Sequence, residues 1–222
     1  SAHPLASPAR GVMARDAVVL VHGLWTSGFE FGVMGRRLRR DHGLEVQVFE
    51  YSSMRSDFLE TSLRLGRSID EIEALRVHVI AHSLGGAFVY RMLVETTPAR
   101  LGNVVLLASP LAGCRAAEGV KRKPMLRPLI GPHAVGELAG RRTRQWPEQV
   151  PAGAIAGNRR LGTGQFFAHF QEENDGTVAV SETRIPGLTD HIVLPHSHMG
   201  MLLASDVAEQ SAHFLRHSVF ER

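Results

Sequence analysis

The chain has one cysteine among 222 residues, so Cys114 can close no intrachain disulfide, and stability must come from a packed core. That fits a reducing compartment without requiring one. No apolar run approaches the ~20 residues of a membrane-spanning helix. The first sixteen residues carry no apolar stretch of the kind that forms a secretory leader. A cytoplasmic location is therefore the expectation, and a secreted or periplasmic one is the alternative if a leader has been removed. Aromatic residues make up only 6% of the chain and are not interleaved with its basic residues, which argues against a nucleic-acid surface. Acidic residues are scarce in one place. Between Gly113 and Trp146 eight basic residues face two acidic ones, a net +6, so the formal +3 of the whole chain leaves −3 for the rest. The basic character belongs to one segment. Such a segment favours acidic surfaces, phospholipid head groups among them.

What is present is a repeated alternation. Ala17–Val21 is a short, continuous apolar run, and Val77–Ala81 and Asn103–Ala108 are largely apolar with His78 and Asn103 as the exceptions, the pattern of strands covered on both faces. Val46–Tyr51 reads as a strand by propensity. Between them lie stretches of helical period: Glu30–Arg40 with Phe31, Met34 and Leu38 on one stripe, and Phe58–Leu75 with Leu65, Ile69 and Ile72. A third, Ala87–Val94, is free of Pro and Gly. The order β-α-β-α-β-α-β implies an α/β fold with a mostly parallel central sheet and helices on both faces, in a single domain over residues 1–222. Functional groups then gather at the carboxyl ends of the strands. Residues 111–150 break the rhythm with four prolines, five glycines and the basic cluster. They read as an insertion over the mouth of a site, helical from about Gly136 to Arg142. Ala152–Gly157 and His191–Pro195 supply further strands, and a terminal helix carries Leu203, Val207 and Phe214 on one stripe. Phe166, Phe167 and Phe170 read as core anchors for a loop.

Three motifs carry chemistry. Ala81-His82-Ser83-Leu84-Gly85-Gly86 places a serine between a strand and a helix, flanked by small residues that a tight turn requires. His22-Gly23-Leu24-Trp25 follows the first strand. Asp175-Gly176-Thr177-Val178 and His196-Ser197-His198-Met199-Gly200 come later, in the order Ser, acid, His. This set resembles the α/β-hydrolase family, its lipases and carboxylesterases in particular, with Ala81 where the family has glycine. The resemblance spans Ala17 to Leu215. It implies Ser83 as nucleophile, His198 as base in preference to His196, and Asp175 as the acid, with Glu172 and Glu173 behind it. It further implies the backbone N–H groups of Leu24 and Leu84 as an oxyanion hole, His22 orienting its loop beside the substrate, and Trp25 lining the pocket. The expected reaction is hydrolysis of an acyl ester or lipid through an acyl-enzyme, with no cofactor and no metal. Acyl transfer, thioester hydrolysis and ligand binding with little turnover are the alternatives, and a His-x-His zinc site with Asp175 is a weaker one.

Overall fold

The computed structural model describes residues 15–24, 26–53, 56–122, 136–161 and 171–222. Trp25, Phe166–Phe170 and the middle of the insertion (residues 123–135, with Lys123 and Arg127) lie outside the described residues.

Six strands form one sheet: β1 (Ala17–Val21), β2 (Glu45–Phe49), β3 (Val77–His82), β4 (Leu101–Leu107), β7 (Ala152–Gly157) and β8 (Asp190–Leu194). Their order is β2-β1-β3-β4-β7-β8, and every pair is parallel. β1 and β3 are buried along their whole length. Alternation along the strands then sorts side chains into two cores. Val19, Val21, Val79, Ala81 and Leu106 face one layer, which holds helices α2 (Phe58–Glu71) and α3 (Leu84–Glu95). Val18, Leu20, Ile80, Val105 and Leu107 face the other, with α1 (Gly32–His42) and α5 (Ser205–His217). Sequence alternation is muted because both faces are covered.

The helices end where local chemistry stops them. α1 closes on Gly43 at φ +66°, whose N–H donates to the Arg39 carbonyl. α2 opens on Asp57, which accepts from the Glu60 N–H at 2.8 Å. It stops at Glu71, short of the Leu75 that periodicity suggests. Ile72 turns extended, and Arg100 Nη1 donates to the Ile72 and Ala74 carbonyls at 2.9 and 3.3 Å, so these carbonyls are satisfied outside a helix. Leu203, expected on the stripe of the last helix, instead caps a 3-10 turn (Gly200–Leu202) and is 57% exposed; Val207 and Phe214 are buried.

The insertion departs from the helical expectation too. Residues 136–138 are helical, but Gly140–Arg141 form β6, antiparallel to β5 (Gly113–Cys114). Gly140 has φ +80° and ends the turn of helix. Helix α4 (Arg115–Lys121) follows β5. Much of the basic cluster is committed internally. Arg115 pairs with Glu172 at 2.5 Å, Arg122 with Glu118 at 3.4 Å, and Arg144 with Glu137 at 3.3 Å. Arg144 also donates to the Leu111 carbonyl and lies 5.2 Å from the centroid of the Tyr90 ring.

Candidate active site

The site forms at the carboxyl ends of β1, β3, β7 and β8. β3 delivers Ser83 into a turn at φ 54°, ψ −121°, before α3 begins at Leu84. A left-handed conformation at a non-glycine residue costs about 1–3 kcal/mol, which the surrounding packing must impose. Here the Ser83 N–H is held by the Leu107 carbonyl at 2.9 Å. Gly85 explains one small residue of the motif: a Cβ there would sit 2.4 Å from the Val21 carbonyl oxygen and 2.7 Å from that of His22. Gly86 is equally constrained, with the Ser109 hydroxyl 2.3 Å from its would-be Cβ. Ala81 is different. Its methyl points into the apolar layer beside α2 and α3, fully buried, so the elbow tolerates the departure from glycine.

Asp175 sits on a turn in the segment between β7 and β8 and is fully buried. Its Oδ1 accepts from the N–H groups of Thr177 (2.9 Å) and Val178 (2.7 Å). Gly176, at φ +95°, makes that turn possible. These two bonds fix the carboxylate and leave Oδ2 free to accept from His198 Nδ1 at 2.7 Å. The backbone binds the same pair again, because the His198 N–H donates to the Asp175 carbonyl at 3.0 Å. On the far side of the ring, His198 Nε2 lies 3.0 Å from Ser83 Oγ. With Nδ1 donating to the carboxylate, Nε2 is the lone-pair nitrogen and can accept the hydroxyl proton. Ser83 is half-buried and His198 is 7% exposed.

The competing residues lie elsewhere. His196 is bound to Asp206 at 2.8 Å. Glu172 pairs with Arg115, and Glu173 is exposed. Among the described residues no group of His, Cys, Asp or Glu could hold a metal ion. His196 and His198 turn to different carboxylates instead of converging. Cys114 is buried, and burial pushes its thiol up to about 12, so it is protonated and inert.

The loop after β1 approaches from the other side. A Cβ on Gly23 would lie 3.0 Å from Ser83 Cβ and 3.2 Å from His82 Nδ1. The loop is braced from behind. His22 Nδ1 and Thr26 Oγ1 both donate to the Gly23 carbonyl at 2.9 Å. The His22 ring stacks on Tyr51 at 4.1 Å, and the Tyr51 hydroxyl donates to the His22 carbonyl at 2.6 Å. His22, expected to border the substrate, is only 1% exposed. It props the loop from below, and burial lowers its pKa.

Sequence reasoning missed two groups. His82, read as one more residue of the elbow, is buried with its ring 4.7 Å from that of His198. Glu182 is buried in a 3-10 turn (Val180–Thr183), and its carboxylate accepts from the N–H groups of Ala179 (2.9 Å) and Arg115 (2.7 Å). Burial raises the pKa of Glu182. It stitches the insertion to the segment that follows Asp175. For His82 the signal was a polar residue at the end of a largely apolar strand; Glu182, among Ser181, Thr183 and Arg184, carried none.

Beside this seam lies an open groove of about 990 Å³ between the insertion and residues 181–186. Its walls include Arg115, Arg141, Arg142, Arg144 and Arg184, with Glu118, Glu172 and Glu182 among them. Ser83 is not part of its lining.

Residues 18–216 match the alpha/beta hydrolase family. The chain belongs to that family. Among solved structures, the hydrolase is similar to the lipase BlEst2 from Bacillus licheniformis, with a TM-score of 0.74 at 18% identity, over 97% of this chain and 96% of that one. The metagenomic carboxyl esterase MGS0156 aligns with a TM-score of 0.66 at 19% identity, over 88% of the hydrolase and 68% of the esterase. Phospholipase PlaB from Legionella pneumophila aligns with a TM-score of 0.66 at 16% identity, over 89% of the hydrolase and 56% of the phospholipase. At these identities the likeness is one of fold. No curated protein sequence matches the hydrolase.

Proposed function

We propose that this hydrolase cleaves carboxylic acyl esters with Ser83 as nucleophile. The observation that carries the reading is the unbroken chain of hydrogen bonds from Asp175 through His198 to Ser83 Oγ. Ser83 Oγ attacks the acyl carbon while His198 Nε2 takes the hydroxyl proton. Asp175 holds the ring in the tautomer that accepts at Nε2 and stabilises the imidazolium that forms. The negative charge that develops on the carbonyl oxygen is bound by the N–H groups of Leu24 and Leu84, each contributing about 3 kcal/mol. The tetrahedral intermediate collapses. The leaving alcohol takes its proton from His198, and an acyl-enzyme remains on Ser83. Water then attacks that ester with His198 as base, releasing the acid and restoring Ser83. The names of the structural neighbours (a lipase, a carboxyl esterase, a phospholipase) agree with this class of substrate. The test is hydrolysis of a chromogenic ester series from acetyl to palmitoyl by wild type and Ser83→Ala. Turnover lost in the variant supports the reading, and the preferred chain length sizes the acyl site. A wild type that cleaves no member refutes ester hydrolysis.

A second reading concerns the partner. The arginines lining the groove outnumber its glutamates, and Arg141 and Arg184 are exposed there. This favours an anionic lipid surface over a neutral one. Binding to vesicles containing phosphatidylserine, weakening as salt rises, supports it. Equal binding to neutral vesicles removes it.

A further inference from the structure

The side chain immediately before the nucleophile does more than fill the strand. His82 is 1% exposed and sits where three separate pieces of the site meet. Its own backbone leads directly into Ser83. Its Nε2–H donates to the main-chain carbonyl of His198 at 2.9 Å. Its Nδ1 faces the loop after β1, 3.2 Å from where a Cβ on Gly23 would stand, and among the described residues it has no hydrogen-bond partner.

The His198 peptide is thereby held from both ends. Its N–H goes to the Asp175 carbonyl at 3.0 Å and its C=O to the His82 ring. The first bond fixes His198 against the acid. The second fixes it against the strand that carries Ser83. Neither bond is made by a group that exchanges protons with substrate. A carbonyl can only accept, so His82 must keep its proton on Nε2. Burial favours the neutral ring and lowers the pKa of His82 to about 3. A neutral neighbour 4.7 Å away does not oppose the positive charge that His198 gains when it takes the serine proton.

We propose that His82 is a positioning residue: its Nε2–H···O=C bond to His198, together with its packing against Gly23, sets the distance from His198 Nε2 to Ser83 Oγ and the approach of the Leu24 N–H. The proposal rests on the serine-hydrolase reading above and deepens it. Misplacement of a catalytic group by about 1 Å costs on the order of a hundredfold in rate. The bond to His198 links the strand to the loop directly, apart from the contact between His198 and Ser83 that does the chemistry.

Two amide variants separate the bond from mere bulk. His82→Gln carries an amide N–H about as far from the backbone as Nε2, so it can reach the His198 carbonyl. His82→Asn is equally polar but one methylene shorter, so it cannot. The readout is the second-order rate at which a fluorophosphonate labels Ser83, which needs no knowledge of the natural substrate. Thermal unfolding is followed alongside, and kcat and KM are measured on whichever ester is cleaved. The expectation is labelling within about threefold of wild type for His82→Gln and about ten- to a hundredfold slower for His82→Asn. Both should remain folded at the assay temperature, and the loss should fall in kcat with KM unchanged. If His82→Asn does not fold, His82→Met, which fills the ring volume without a donor, takes its place with the same expectation. Equal rates for Gln and Asn, whether both fast or both slow, would overturn the proposal. Labelling of the wild type without cleavage of any ester refutes the ester reading alone and leaves the Gln–Asn comparison decisive. A wild type that is never labelled at Ser83 overturns both.

Discussion

Replacing Asp175 by Asn tests the hydrogen-bond chain at its least accessible point. The Oδ1 side of the carboxylate accepts two backbone N–H groups, at 2.9 and 2.7 Å, and the Oδ2 side accepts His198 Nδ1–H at 2.7 Å. An amide has one oxygen. Two converging N–H donors from Thr177 and Val178 claim it, so the amide NH2 must face His198. His198 then relieves a donor–donor clash by moving its proton to Nε2, which presents N–H to Ser83 Oγ and cannot take its proton. Geometry is retained and the tautomer is wrong. Loss of the right tautomer in a serine triad lowers kcat by ~10⁴-fold, equivalent to about 5.5 kcal/mol in the transition state. Stability should fall little, by about 1 kcal/mol, because the backbone bonds to the side-chain oxygen persist. Asp175→Ala should do the reverse in part. It orphans two backbone donors at about 1–3 kcal/mol each. The assay pairs steady-state ester hydrolysis with thermal unfolding of each variant. An Asp175→Asn enzyme that stays folded and keeps more than a tenth of wild-type kcat would show that Asp175 does not control the His198 tautomer.

Three further outcomes follow from the packing and the buried histidines. Gly23→Ala places a methyl 3.0 Å from Ser83 Cβ and 3.3 Å from the His82 carbonyl oxygen, so kcat should drop at least about tenfold at near-constant KM, with about 1–3 kcal/mol lost in denaturant unfolding. Glu182→Ala leaves the Ala179 and Arg115 N–H groups without their acceptor and should destabilise by about 2–4 kcal/mol in urea melts, with kcat falling less than in Asp175→Asn. Acid should destabilise the fold early. His82 binds its proton near pH 3 when folded and near 6.5 when unfolded, so its contribution is fully present above 6.5 and declines as pH falls toward 3. Between pH 6.5 and 5 this removes roughly 2 kcal/mol, and burial of His22 and His78 acts in the same direction. Urea midpoints measured across that interval should fall in wild type and fall less in His82→Gln.

The sheet was legible in the sequence because strands buried on both faces appear as largely apolar runs; β1 is unbroken, and β3 and β4 are interrupted only by His78, His82, Gly102 and Asn103. The serine, acid and histidine motifs were legible because each needs a fixed local chemistry: small residues at Ser83, a Gly turn after Asp175, and a histidine ahead of the final helix. What escaped was set by contacts between distant segments. The end of α2 depends on Arg100 reaching back to Ile72. The β5–β6 pairing depends on a partner beyond the middle of the insertion. His82 and Glu182 have no pattern of their own. Their meaning comes from a carbonyl 116 residues away in one case and an N–H 67 residues away in the other.

The Glu182 seam bears on how such an enzyme could be remodelled. Exchanging the segment that begins at Gly113 would be one way to alter the basic groove. Yet the Arg115 N–H and the Ala179 N–H end on one carboxylate, and Ala179 lies four residues from Asp175. A graft that keeps a backbone donor at the start of its first helix would inherit a tuned acid loop. One that omits it would detune the acid from a distance, and its poor activity would be blamed on the new pocket when the fault lay in the splice.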